Sequence, residues 1–262
     1  MRHEYVSRLL LPEAIDWGAF AAHHSTVALA KISLKDRHPI VVGCVGGTLD
    51  LQRLNFNHVQ ASCDIVEIRL DLLDSSSVDA VSWRHLLGMP LLFTARRGEE
   101  GGAGALSATA REDSLRRSLG QASFVDIEVA SMTEMRGLMP ELAAENIPWI
   151  ASYHDFERLP PLATLKQAAA KAKDAGAAVF KLAARLATPA DVAALAEFQL
   201  ADHGIPVATM GMGPLAPVSR LLCAQCGSVL NYGYLGDAPT APGQWDSALM
   251  KLAISRLVMV ES

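Results

Sequence analysis

The run AVFKLAA (178–184) sets one charge, Lys181, among apolar and small residues. Such a lysine has two ordinary explanations, a snorkelling side chain or half of a salt bridge. It also has a chemical one. Burial and neighbouring cations lower a lysine's pKa, and a neutral amine attacks a ketone to form a Schiff base. A histidine nearby would move the protons that this chemistry needs. PWIASYH (148–154) ends in His154, flanked by Ser152, Tyr153 and Asp155, and lies one apolar run before the lysine. The other histidines read as ordinary core or surface residues. In DIVEIRLDL (64–72) Glu67, Arg69 and Asp71 alternate with apolar residues, and SFVDIEV (123–129) repeats the pattern with Asp126 and Glu128. PLLFTAR (90–96) ends in Thr94 and Arg96. With the period of two that strands impose, the charges within each run share one face.

The elements that would carry these residues follow from the same runs. PIVVGCV (39–45), PVATMG (206–211) and SVLNYGY (228–234) complete a set of short β-branched apolar runs, separated by segments long enough for a crossover helix. LATLKQAAAKAKDAGA and TPADVAALAEFQLADHG have helical composition, and each ends in a glycine that serves as a helix stop. Thr188 and Asp191 around Pro189 mark a helix entry. Eight strands, seven crossovers and a final helix in GQWDSALMKLAISRLVMV predict an α/β fold, a (β/α)8 TIM barrel. A doubly wound sheet is the second architecture, without a G-x-G-x-x-G after the first strand to support it. The catalytic barrel is expected over 39–262. Residues 1–38 form an N-terminal extension, either a helix around LPEAIDWGAFAAHH or a plug under the barrel floor. In a barrel the charged faces must look inward. Buried ion pairs explain any one strand, but five strands with polar groups towards their C-terminal ends point to a site for a polar, anionic small molecule.

Composition narrows the class. Half of the 262 residues are apolar and 19% are charged, which supports a large core. A net charge of −5 gives no electrostatic case for nucleic acid or an anionic membrane. No apolar span of about 18 residues is present, and the first residues do not read as a secretory signal, so a cytoplasmic protein is expected. Cys44, Cys63, Cys223 and Cys226 include a lone CxxC with no second pair or histidine at ligand spacing, and ordinary thiols without a disulfide are expected.

Together EIRLD (67–71), TARRGEEGG (94–102), VDIEV (125–129), SYHDF (152–156), FKLA (180–183), MG followed by SR (212–220) and APGQ (241–244) resemble the type I 3-dehydroquinate dehydratases, in the family's order and over roughly 39–250. The resemblance implies a barrel, usually a homodimer. It would convert 3-dehydroquinate to 3-dehydroshikimate and water, with neither metal nor cofactor. It assigns Lys181 to the Schiff base, His154 to general acid/base work and Glu100 to orienting that histidine. Glu67, Arg69 and Arg96 match residues that hold the ring hydroxyls, and Arg220 matches the carboxylate-binding arginine. Gln244 belongs to a loop that closes over the site. YLGDAPTAPGQ (234–244) accordingly reads as a mobile lid.

Some positions depart from the family. Thr240 stands where serine is usual and keeps a hydroxyl, so it stays a substrate-ligand candidate. Ala216 replaces a glycine, and Pro214 and Pro217 suggest a stiff loop. Gly43 sits where some relatives have a serine near the substrate. Two other readings use the same residues. A class I Schiff-base aldolase would want a phosphate loop near the last strands, and none is evident. Against an inactive binder of a cyclic hydroxy-acid stands the presence of Lys181, His154, Glu100, Arg220 and Gln244 together. A fused shikimate dehydrogenase is not expected at this length.

Overall fold

The computed structural model describes residues 39–74, 83–104 and 106–258. The expected N-terminal extension lies outside them. Eight parallel strands follow one another around the sheet: β1 (Ile40–Val45), β2 (Ile65–Arg69), β3 (Leu91–Thr94), β4 (Phe124–Glu128), β5 (Trp149–Asp155), β6 (Val179–Arg185), β7 (Val207–Met212) and β8 (Leu230–Leu235). β1 pairs with both β2 and β8. The remaining seam, between β7 and β8, is bridged where Val229 N donates to Val207 O at 3.1 Å and Thr209 N donates to Ser228 Oγ at 3.1 Å. The result is a nearly closed (β/α)8 barrel.

The helices are α1 (Thr48–Arg53), α2 (Phe56–Ser62), α3 (Ala108–Ser118), α4 (Met139–Ala144), α5 (Leu162–Asp174), α6 (Pro189–Leu200), α7 (Ala216–Gln225) and α8 (Ser247–Ile254). α6 starts with a capping box: Thr188 Oγ1 accepts from Asp191 N, and Asp191 Oδ2 accepts from Thr188 N at 2.8 Å. Gly176, with φ +82°, follows α5 as expected, whereas α6 stops at Leu200, well before Gly204. Residues 75–82 of the β2-to-β3 connection, where a crossover is expected, lie outside the described residues. The described part of that connection holds only the 3-10 turns Leu70–Leu72 and Arg84–Leu86. None of the described helices is long and apolar enough to cross a membrane.

Alternation along the strands sorts the side chains into two cores. Val41, Val45, Val66, Ile68, Val125, Ile127, Ala151, Phe180 and Leu182 face outward into the helix layer. Val42, Ile65, Leu92, Phe124, Ile150, Val179 and Leu230 plug the lower end of the barrel axis. Above that plug, two residues further along the same strands, stand Cys44, Glu67, Thr94, Asp126, Ser152, Lys181 and Tyr232. All are at most 4% exposed, so a buried polar layer occupies the axis where barrels usually pack aliphatic side chains.

Candidate active site

The polar layer is a single network. Arg96 Nη1 lies 2.9 Å from Asp126 Oδ1 and 3.2 Å from Glu128 Oε1, and donates to Ser152 Oγ at 2.6 Å. Ser152 in turn donates to Asp126 Oδ1 at 2.6 Å. Arg111 reaches in from α3 and donates to Glu128 Oε2 at 2.9 Å. Thr94 Oγ1 donates to Glu67 Oε1 at 2.8 Å. Arg96 and Arg111 in this network therefore each meet an opposite charge, which desolvated groups require.

Lys181 Nζ donates to Asp126 Oδ2 at 3.1 Å and lies 3.6 Å from Glu67 Oε1. Beneath it is the face of Tyr232, with the ring centroid 4.0 Å away. This corrects the expectation drawn from AVFKLAA. The apolar neighbours Phe180 and Leu182 face the helices. The groups that meet the amine are two carboxylates and an aromatic face rather than cations. Burial alone would raise both acids, but Arg96 and Lys181 hold Asp126 well below the ordinary carboxylate range, and Lys181 lowers Glu67.

His154 stands one step nearer the mouth. Ser152 is the register partner of Lys181 and His154 that of Ala183, which sets the histidine about 6.6 Å further along the strand direction. Its backbone N and its Nδ1 both lie 2.9 Å from Glu100 Oε2. When Glu100 is ionised its carboxylate can only accept, so the Nδ1 proton then points to Glu100 and the Nε2 lone pair is left free. Burial, then the charges of Arg96 and Lys181, push the His154 pKa well below its ordinary value. Burial raises Glu100 to about 7, against the pull of Arg96. Glu100 is held by the 3-10 turn Gly98–Glu100, which Gly101 closes at φ +85°, a conformation that favours glycine.

Arg220, on α7, is 3% exposed. Its Nε donates to Gly211 O at 3.2 Å and its Nη1 to Tyr232 O at 2.7 Å. No acid lies within ion-pair distance of it among the described residues, and burial lowers its pKa to about 10. A buried guanidinium held only by carbonyls lacks a counter-charge, and a planar anion would supply one.

The strap between β8 and α8 covers this end. Gln244 Oε1 accepts from Thr240 N at 3.0 Å and from Thr240 Oγ1 at 2.9 Å, while its Nε2 meets Cys44 Sγ at 3.4 Å. Gly213 N donates to Pro242 O at 3.1 Å. Gly243, at φ +75°, passes so close that a Cβ there would strike Gly213 O and the side chain of Ala216. The cavity here measures about 50 Å³, with Lys181, His154, Glu100, Arg220, Thr240 and Gln244 in its wall. That is room for a few waters.

Glu67, Arg69 and Arg96 also line this cavity, so all the expected site residues meet there. Three details differ from expectation. Gly43 faces the helix layer, where a Cβ would meet Leu235 and Cys63, and Cys44 is the inward residue of β1. Pro217 lies in the first turn of α7 rather than in a stiff loop. Asp71 belongs to the turn after β2, where it accepts from Arg69 Nε and Nη2 at 2.9 and 2.7 Å and from the backbone N of Arg96 and Ala103. The sequence reading missed Arg111 and Tyr232. Tyr232 lies in the apolar run SVLNYGY with nothing to single it out, and Arg111 sits among helix charges in AREDSLRR.

Residues 40–257 match the family model described as type I 3-dehydroquinase. A 3-dehydroquinate dehydratase of Methanothrix thermoacetophila is 32% identical over 211 residues, 80% of this chain and 88% of that protein. One from Methanococcoides burtonii is 30% identical over 235 residues, 87% of this chain and 98% of that protein. The crystal structure of 3-dehydroquinate dehydratase from Geobacillus kaustophilus HTA426 shares the fold at TM-score 0.73 and 24% identity, over 83% of this chain and 90% of that one.

Proposed function

The chain belongs to the type I 3-dehydroquinase family, a family of hydro-lyases, and from that premise we propose that it removes water from 3-dehydroquinate through an imine on Lys181. The observation that carries this reading is one cavity holding a lysine amine, a histidine oriented by Glu100, and Arg220 without a counter-ion. Arg220 takes the substrate carboxylate. Glu67, Arg69, Arg96 and Thr240 meet the ring hydroxyls, and Gln244 closes the strap above them. Before attack Lys181 gives up a proton to solvent. The amine then bonds to the ketone carbon, and the oxygen takes one proton from the nitrogen and one from solvent and leaves as water, giving an iminium.

The iminium makes the adjacent C–H acidic, because the electron pair left behind delocalises into the cation as an enamine. His154 Nε2 takes that proton. The enamine pair then expels the β-hydroxyl, which leaves as water with the proton from the imidazolium. Hydrolysis of the imine releases 3-dehydroshikimate and restores the amine. The closed strap would exclude bulk water meanwhile.

The test is to add borohydride during turnover of 3-dehydroquinate. A covalent adduct on the Lys181 peptide, seen by mass spectrometry, together with growth of enone-carboxylate absorbance, is the expected result. Absorbance without an adduct would remove the imine, and neither would remove the function.

Arg220→Lys keeps a charge but loses the guanidinium fork. One charge-assisted bond lost, about 1.5–3 kcal/mol, corresponds to a roughly 10- to 150-fold rise in KM with kcat little changed. Steady-state kinetics on 3-dehydroquinate would measure it, and an unchanged KM would take the carboxylate away from Arg220. A homodimer belongs to the same proposal. Val218 on α7 and Leu249 and Leu252 on the neighbouring α8 are exposed, and light scattering at micromolar concentration would reject the dimer if it returned the monomer mass.

A further inference from the structure

Among the described residues, three buried side-chain polar atoms have no hydrogen-bond partner: Arg111 Nε, Ser247 Oγ and the phenol oxygen of Tyr232. Only Tyr232 lines the cavity with Lys181. An orphaned buried hydroxyl is unfavourable, and one in the wall of a site is explained by a ligand atom that satisfies it.

The surroundings say which atom. The amine's neighbours, Asp126 and Glu67, are acceptors. Of the donors nearest it, Arg96 Nη1 is engaged with Asp126, Glu128 and Ser152, Thr94 Oγ1 with Glu67, and Arg69 Nε and Nη2 with Asp71 and Gly101. His154, with its Nδ1 proton on Glu100, offers Nε2 as an acceptor. A ketone attacked by Lys181 gathers negative charge on its oxygen, in a place ringed by carboxylates. That oxygen needs a donor, and the phenol beneath the amine is an uncommitted one.

We infer that Tyr232 donates its phenol hydrogen bond to the ketone oxygen as Lys181 attacks, and so stabilises the alkoxide that becomes the departing water. This rests on the imine reading given above. No net proton leaves the phenol in this step: the carbon–oxygen π pair moves to oxygen as the nitrogen–carbon bond forms, and Tyr232 solvates the charge. Burial, followed by the charges of Glu67 and Asp126, pushes the phenol well above its ordinary pKa, which keeps it an O–H donor. The backbone carbonyl of the same residue holds Arg220 at 2.7 Å. One residue of β8 therefore ties the carboxylate end of the substrate to its ketone end.

Tyr232→Phe keeps the ring under the amine and the carbonyl on Arg220, and removes only the hydroxyl. Rapid-quench borohydride trapping should show adduct formation slowed by about 10²-fold, the scale of losing one oxyanion donor. Binding of an analogue carrying an alcohol in place of the ketone should stay within about twofold, since Arg220 is untouched. Melting curves of the free variant verify that it folds, and with the orphan oxygen gone its melting temperature should not fall. Wild-type rates of adduct formation in the variant would overturn the inference while leaving the imine reading intact. So would an equal loss of analogue affinity, which would make the hydroxyl a general binding group. Failure of the wild-type protein to trap any adduct would instead overturn the imine reading on which the inference stands.

Discussion

Lys181→Arg is expected to reduce turnover of 3-dehydroquinate by roughly 10⁴-fold or more and to abolish the borohydride adduct, because the covalent path is lost altogether. Arginine is the informative replacement. It returns a cation to Asp126 and Glu67, which would otherwise be left buried and unpaired. Its guanidinium does not deprotonate in proteins and so forms no imine. Lys181→Met would confound lost chemistry with lost folding, since it strands both acids. Circular dichroism and melting of the arginine variant separate the two. If the folded variant kept a rate within tenfold of wild type, the nucleophile would have to be another group.

His154→Ala should behave differently. The amine remains, so the imine still forms, but the C–H proton has no acceptor and turnover falls by about 10²- to 10⁴-fold. Borohydride should then trap at least as much adduct as in the wild type, because the intermediate accumulates. Little adduct and little turnover together would mean that His154 serves formation of the imine first. The same pair of residues sets the pH profile. Glu100 is raised to about 7, and His154 lies well below its ordinary range. As pH rises through about 7, Glu100 ionises and its carboxylate accepts the Nδ1 proton, which leaves Nε2 competent as a base. The rate kcat/KM should therefore rise with pH across this range and fall below it, and Glu100→Gln should remove that limb. A limb unchanged in Glu100→Gln would assign it elsewhere.

Much of this site can be read from period two alone. Glu67, Asp126, Ser152 and Lys181 declare a shared inward face because their strand neighbours are apolar, and the structure places all four in one layer. What fails is information carried across the barrel rather than along a strand. The sequence says that Lys181 is enclosed, but not that Asp126 and Glu67 are what enclose it. It offers Gly43 and Cys44 as neighbours without saying which turns inward, since a strand with apolar residues on both faces has no phase. Arg111 hides among helix charges because its partner, Glu128, comes from a different element. Tyr232 gives no signal beforehand, because its meaning lies in a hydrogen bond that the protein itself does not make.

The polar layer along the barrel axis also bears on how such a protein responds to selection for heat tolerance. Desolvating Arg96, Asp126 and Glu128 is unfavourable, and their attraction offsets it only while every partner is present. Loss of one member strands the others, whereas exchange of a whole buried set for apolar side chains of similar volume often stabilises. A screen scored on melting temperature alone would thus push the axis towards the aliphatic packing usual in barrels. Its winners would outlast the parent in heat and lack the acids that hold Lys181 in place. Variants of this fold need to be ranked on turnover and melting together, because in this layer the two pull in opposite directions.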